Sequence, residues 1–114
     1  DEDLINLYNK ASVVAFPSIL EPLGLVPLEA QACGTPPVGV SEGGIRETII
    51  HNVTGILTPR DPVKYGQALH KVIRDPVFAQ SLAEAGRTNI IENWTWHKRS
   101  LTLNSCIKKV GEKE

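Results

Sequence analysis

Val13-Val14-Ala15-Phe16-Pro17-Ser18-Ile19-Leu20-Glu21-Pro22-Leu23-Gly24-Leu25-Val26-Pro27-Leu28-Glu29 reads as a strand, a loop and the opening of a helix. Ser12 to Phe16 is a nearly continuous apolar run closed by Pro17, the pattern of a strand buried on both sides of a parallel sheet. Glu21 precedes a proline, which disfavours helical backbone and keeps it in the loop, whereas Glu29 falls in the early turns of the helix. Two carboxylates therefore flank one strand-to-helix junction, placed to face one ligand. Gly24 permits close backbone approach, and the free amides of the first helical turn, with the dipole behind them, suit an anion such as a phosphate. Pro27 costs little there, because a first-turn amide has no acceptor within the helix. The acids also have an ordinary reading, as complements of the helix dipole worth about 0.3–1 kcal/mol each. On spacing alone, two glutamates eight residues apart are weak grounds for a site.

The flanking elements extend the same alternation. Asp3 reads as the cap of a helix running to Lys10, with Leu4, Leu7 and Tyr8 on one face. After the helix from Leu25 to Cys33, Gly34 is a stop signal and Pro36-Pro37-Val38-Gly39-Val40 the next strand. Gly43-Gly44 turns the chain into a short helix from Arg46 to Ile50, and Gly55-Ile56-Leu57-Thr58 is a third strand stopped by Pro59. Asp61-Pro62 opens a helix through Arg74 with an apolar stripe of Val63, Ala68, Leu69, Val72 and Ile73. Asp75-Pro76 repeats the device for a helix to Glu92 that carries Phe78, Leu82, Ala85 or Gly86, and Ile90. Trp94-Thr95-Trp96 leads into a last helix with Leu103, Ile107 and Val110 on one side, and the tryptophans are expected to anchor it to the core.

The fold class is α/β: three short parallel strands with helices, then C-terminal helices. Such sheets usually have about five or six strands, and the apolar first strand is an unexpected edge. Further strands are expected before residue 1, with residues 1–114 forming part of a larger protein. An open edge of this kind also invites self-association through strand pairing.

Composition sets bounds. The 114 residues are 41% apolar and 22% charged with a formal net charge of −1, which fits one ordinary globular domain and not a polyanion-binding surface. The densest basic group, Lys108-Lys109-Val110-Gly111-Glu112-Lys113-Glu114, is broken by acids and reads as a solvated tail, so no nucleic-acid partner is expected. No apolar run approaches the roughly 20 residues of a membrane span. Cys33 and Cys106 read as buried thiols in a reducing compartment, which points to the cytoplasm; a peripheral membrane position of a full-length parent stays open. Asn52-Val53-Thr54 and Asn93-Trp94-Thr95 fit the glycosylation pattern by chance. His51, His70 and His97 show no metal-ligand spacing with the cysteines, so no metal is expected. Gly39-Val40-Ser41-Glu42-Gly43-Gly44 does not match the dinucleotide fingerprint, which argues against a nicotinamide dehydrogenase.

Phe16-Pro17-Ser18, Glu21-Pro22-Leu23-Gly24-Leu25, Glu29-Ala30, Ala32-Cys33-Gly34-Thr35-Pro36, Gly43-Gly44-Ile45-Arg46-Glu47 and Gly55-Ile56-Leu57 stand in one order with fixed gaps. That set resembles the retaining glycosyltransferases of the family 4 type, whose GT-B architecture has two Rossmann-like domains facing a cleft. The likeness is strong over residues 12–62 and looser in the helices after. It implies that the chain is the second half of the C-terminal, donor-binding domain. The implied ligand is a nucleotide diphosphate sugar, with no cofactor and no metal ion. By the same resemblance Glu21, catalytic, faces the donor sugar hydroxyls; Gly24, Leu25 and Val26 offer backbone amides to the sugar or diphosphate; and Glu29 bonds the ribose hydroxyls. Those roles agree with carboxylates accepting from hydroxyls and a helix N-terminus holding a diphosphate. Leu23 stands where the family commonly has Phe, and Asn52 where a turn glycine is common. The family's basic diphosphate-binding pair and its acceptor domain lie upstream, so residues 1–114 alone are not expected to be a working enzyme. A nucleotide-sugar epimerase, a phosphorylase of the same architecture, or a non-catalytic interaction module fit the same residues.

Overall fold

The computed structural model describes residues 2–112. Among them, three strands and six helices alternate as α1 (Glu2–Lys10), β1 (Val14–Phe16), α2 (Leu25–Ala32), β2 (Pro37–Val40), α3 (Ile45–Thr48), β3 (Ile56–Thr58), α4 (Pro62–Arg74), α5 (Pro76–Asn93) and α6 (Trp96–Glu112). The sheet is parallel in the order β1-β2-β3, with Ala15 opposite Val38 and Gly39 opposite Leu57. The chain is thus the expected α/β alternation.

The sheet differs from expectation in which strand is covered. All four residues of the central strand β2 are buried, whereas Ala15 in β1 is exposed, because β1 lies at the sheet's edge among the described residues. Successive residues of β2 face opposite ways. Val38 joins Ile56, Ala68, Val72 and Leu82 in the main apolar cluster under α4 and α5. Gly39 faces the other side, where a Cβ would meet the Ile45 side chain at 2.3 Å. Helices thus cover both faces of β2.

Proline and aspartate punctuate the second half as their chemistry requires. Asp61 caps α4, accepting from the Val63 and Lys64 amides, and Asp75 caps α5 through the Phe78 amide. Asp3, by contrast, lies inside the first turn of α1 and does not precede it. Several apolar positions face solvent. Leu7 on α1 and Val63 and Ile73 on α4 are exposed, while Tyr8, Ala68 and Val72 are the buried members of those faces. Trp94 is half-buried with the Arg99 guanidinium 4.5 Å from its ring centre, but Trp96 is 91% exposed and anchors nothing. Neither thiol is buried as expected: Cys33 is half-buried, Cys106 exposed, and both are free. No described helix is long and apolar enough to cross a membrane.

A chain of amides ties α5 to α2 and α3. Asn93 donates to Asn89, Asn89 to Gln31 (2.9 Å), and Gln31 to the Thr48 carbonyl oxygen (2.7 Å), with Gln31 1% exposed. Every buried side-chain N or O atom among the described residues has a partner.

Candidate functional site

The loop from Pro17 to Gly24 leaves the C-terminal end of β1, and Ser41 to Gly44 leaves that of β2. Open parallel sheets bind ligands at this edge. The two loops are joined: Glu21 and Gly43 form a parallel bridge, and the Gly44 amide donates to the Glu21 carbonyl at 2.6 Å. The junction requires glycines. A Cβ at Gly43 would lie 2.6 Å from the Glu21 carbonyl oxygen, and one at Gly44 only 1.9 Å from that of Pro22. Gly43-Gly44 therefore works as the seat of the Glu21 loop as well as a turn. The loop itself is sharply bent, with Leu20 at φ 58° and Gly24 at φ 84° on either side of Glu21-Pro22-Leu23. A left-handed leucine costs roughly 1–2 kcal/mol, which the surrounding contacts must offset.

Gly24 caps α2 without any side-chain hydrogen bond, and the Leu25 and Val26 amides have no acceptor among the described residues. The helix thus presents an open, positive N-terminus. Gly24 is buried, Val26 half-buried and Leu25 exposed. Glu21 is half-buried, and its carboxylate has no hydrogen-bond or ion-pair partner among the described residues.

Glu29 lies four residues beyond Leu25, roughly 6 Å along the helix axis at 1.5 Å per residue. Its Oε2 accepts the Tyr8 hydroxyl at 2.9 Å. Burial, and then the hydrogen bond to the Glu29 carboxylate, push the Tyr8 phenol up to about 12, so at neutral pH it is a fixed donor. On its other side Glu29 lines a cavity of about 370 Å³ with Leu23, Leu25, Trp94, Trp96 and Arg99. Glu21, Gly24 and Val26 do not line it. The two glutamates are thus set around one helix start on different surroundings, Glu21 against the Gly43-Gly44 loop and Glu29 between α1 and the apolar cavity.

Two features of this region had no signal in the sequence reading. The Tyr8–Glu29 pair joins residues 21 apart, and Tyr8 there reads only as part of an apolar face. Arg60, after β3, donates twice to Glu42 (2.6 and 2.9 Å), which holds the exposed Glu42 carboxyl below its usual range. His51 Nδ1 accepts the Leu57 amide, and His51, His70 and His97 are exposed. Among the described residues no group of three or more His, Cys, Asp or Glu is placed to share a metal ion.

Residues 1–89 match the family described as Glycosyl transferases group 1. An uncharacterized glycosyltransferase of Methanocaldococcus jannaschii is 38% identical over 96 residues, 83% of this chain and 25% of that protein. Sucrose-phosphate synthase from Thermosynechococcus elongatus superposes with a TM-score of 0.82 at 30% identity, over all of this chain and 29% of that one. HepE of Anabaena, solved in complex with UDP, gives 0.80 at 26% identity over all of this chain and 31% of that one. The chain therefore spans between a quarter and a third of these three proteins. With the motif order, the parallel sheet and this match over most of its length in agreement, the chain belongs to the group 1 glycosyl transferases.

Proposed function

We propose that residues 1–114 are part of the donor-binding domain of a glycosyltransferase that uses a nucleotide diphosphate sugar, the acceptor being held by a domain outside this chain. The observation that carries this reading is the open N-terminus of α2, where two amides without acceptors lie between a loop carboxylate and a helix carboxylate. The spacing supports a donor laid along the helix start. The sugar hydroxyls lie toward Glu21, the diphosphate lies on the amides of Gly24, Leu25 and Val26, and the ribose lies toward Glu29. That HepE is solved with UDP, and in a further structure with UDP-glucose, supports a uridine nucleotide as the first ligand to try.

The reaction assigned here is transfer with retention. The bond between the anomeric carbon and the diphosphate oxygen breaks, an acceptor oxygen bonds the same face of that carbon, and the acceptor proton passes to the departing diphosphate. The chain's part is electrostatic: preset amides and the helix dipole stabilise charge growing on the leaving group. No protein nucleophile and no metal ion are assigned to the step. Glu21 holds the sugar through its hydroxyls while the bond breaks.

Calorimetric titration of the full-length parent with UDP, GDP and ADP tests the reading. At least one should bind, and Glu29→Ala should weaken that binding about tenfold, the cost of a hydrogen-bonded charged group. Absence of binding by all three, or undiminished transfer in Glu29→Ala, would overturn it.

A further inference from the structure

Tyr8 is held at both ends. Its carbonyl oxygen accepts the buried Thr35 hydroxyl, Thr35 in turn bonds the Ala30 carbonyl through its amide, and the Tyr8 hydroxyl donates to Glu29 Oε2. Helix α1 is thereby pinned to α2 at the residue assigned to the ribose and again just past the helix end. A glutamate side chain has three rotatable bonds, so a free carboxylate must be ordered by its ligand, whereas a preset one spares that entropy. Glu29 Oε1 has no partner among the described residues, so the Tyr8 bond leaves it available to a ligand.

We propose that Tyr8 is a positioning residue for nucleotide recognition, its hydroxyl fixing the Glu29 carboxylate so that Oε1 meets the hydroxyls of a ribose. This rests on the assignment of Glu29 to the ribose. Tyr8 itself touches no ligand. Because the phenol stays protonated through the neutral range, the donor is permanent and needs no switch. The selectivity expected from it is for ribonucleotides over nucleotides lacking the sugar hydroxyls. A site built to bond a hydroxyl strongly rejects a ligand without it.

The test uses the full-length parent, titrated with UDP and 2′,3′-dideoxy-UDP, with the guanine and adenine pairs run in parallel. Tyr8→Phe should weaken the ribonucleotide about tenfold and the dideoxynucleotide less than about twofold. In a Glu29→Ala background, Tyr8→Phe should change neither. Tyr8→Leu is held to the same ratio, so that a variant that packs poorly does not decide the matter. Equal weakening of both ligands would mean that Tyr8 is only structural and would sink the proposal. So would an unchanged ribose preference in Tyr8→Phe alongside a lost one in Glu29→Ala, which leaves the role of Glu29 standing. A ribose preference unchanged in Glu29→Ala would instead remove the assignment on which the proposal rests.

Discussion

Helices α2 and α6 differ in what covers them. In eight residues α2 buries Pro27, Ala30 and Gln31 and touches the sheet, α3 and α5. In seventeen residues α6 has no buried side chain from Trp96 to Gly111, and Leu101, Leu103, Ile107 and Val110 all face solvent. The contrast runs against apolar patterning, because the longer helix carries the more regular stripe. Periodicity states that a helix has a face to bury; it does not supply the surface that buries it. Near α2 that surface comes from the chain itself.

Substitutions on either side of this divide should separate sharply. Leu82→Ala, at a position with 0% exposure in the main cluster, should destabilise the chain by about 4 kcal/mol in denaturant unfolding. A loss under about 1 kcal/mol would mean that the cluster is loosely packed and that the two regions differ less than they look. The link between α1 and α2 gives an intermediate effect that pH exposes. The Tyr8 phenol titrates near 12 when folded against about 10 when unfolded, so its contribution is complete below pH 10 and lost as pH rises through 12. Wild-type stability relative to Tyr8→Phe should therefore fall between pH 9 and 12. A difference constant over that range would contradict the buried phenol–carboxylate bond. Smallest of all, Leu103→Ala on α6 should change stability by less than about 0.5 kcal/mol, since the side chain is 61% exposed. A larger loss would show that α6 is covered in solution.

The division also explains which parts of the molecule are legible in the chain. Asp61-Pro62 and Asp75-Pro76 act within their own few residues, so the helix starts they announce are where they should be. Asn52 at φ 61° is a local choice of the same kind, standing in for glycine in a left-handed turn. Glu21, Gly24 and Glu29 take their places for local reasons as well: a proline after the first, an uncapped glycine, a helical step to the last. Trp96, Val63 and Ile73 are misread as buried because apolar character is shared by core positions and by surfaces without a cover. The Tyr8 hydroxyl bond and the seating of the Glu21 loop on Gly43-Gly44 depend on chain segments that meet only after the sheet has formed. Nothing within a window of neighbouring residues announces them.

The amide chain through Asn93, Asn89 and Gln31 sets a limit on movement. Sliding α5 by one turn along α2 would break the Asn89–Gln31 bond and leave Asn89 Nδ2 and Gln31 Oε1 unpaired, each at the desolvation cost of a buried polar group, about 1–3 kcal/mol, while Gln31 keeps the Thr48 carbonyl and Asn89 keeps Asn93. Intermediate offsets are no better, since an amide pair has no graded register. Helices α5 and α2 are therefore geared together. Any swing of the C-terminal part must turn about the residues after Asn93, where Trp94 and Thr95 are only half-buried and the buried ladder has ended.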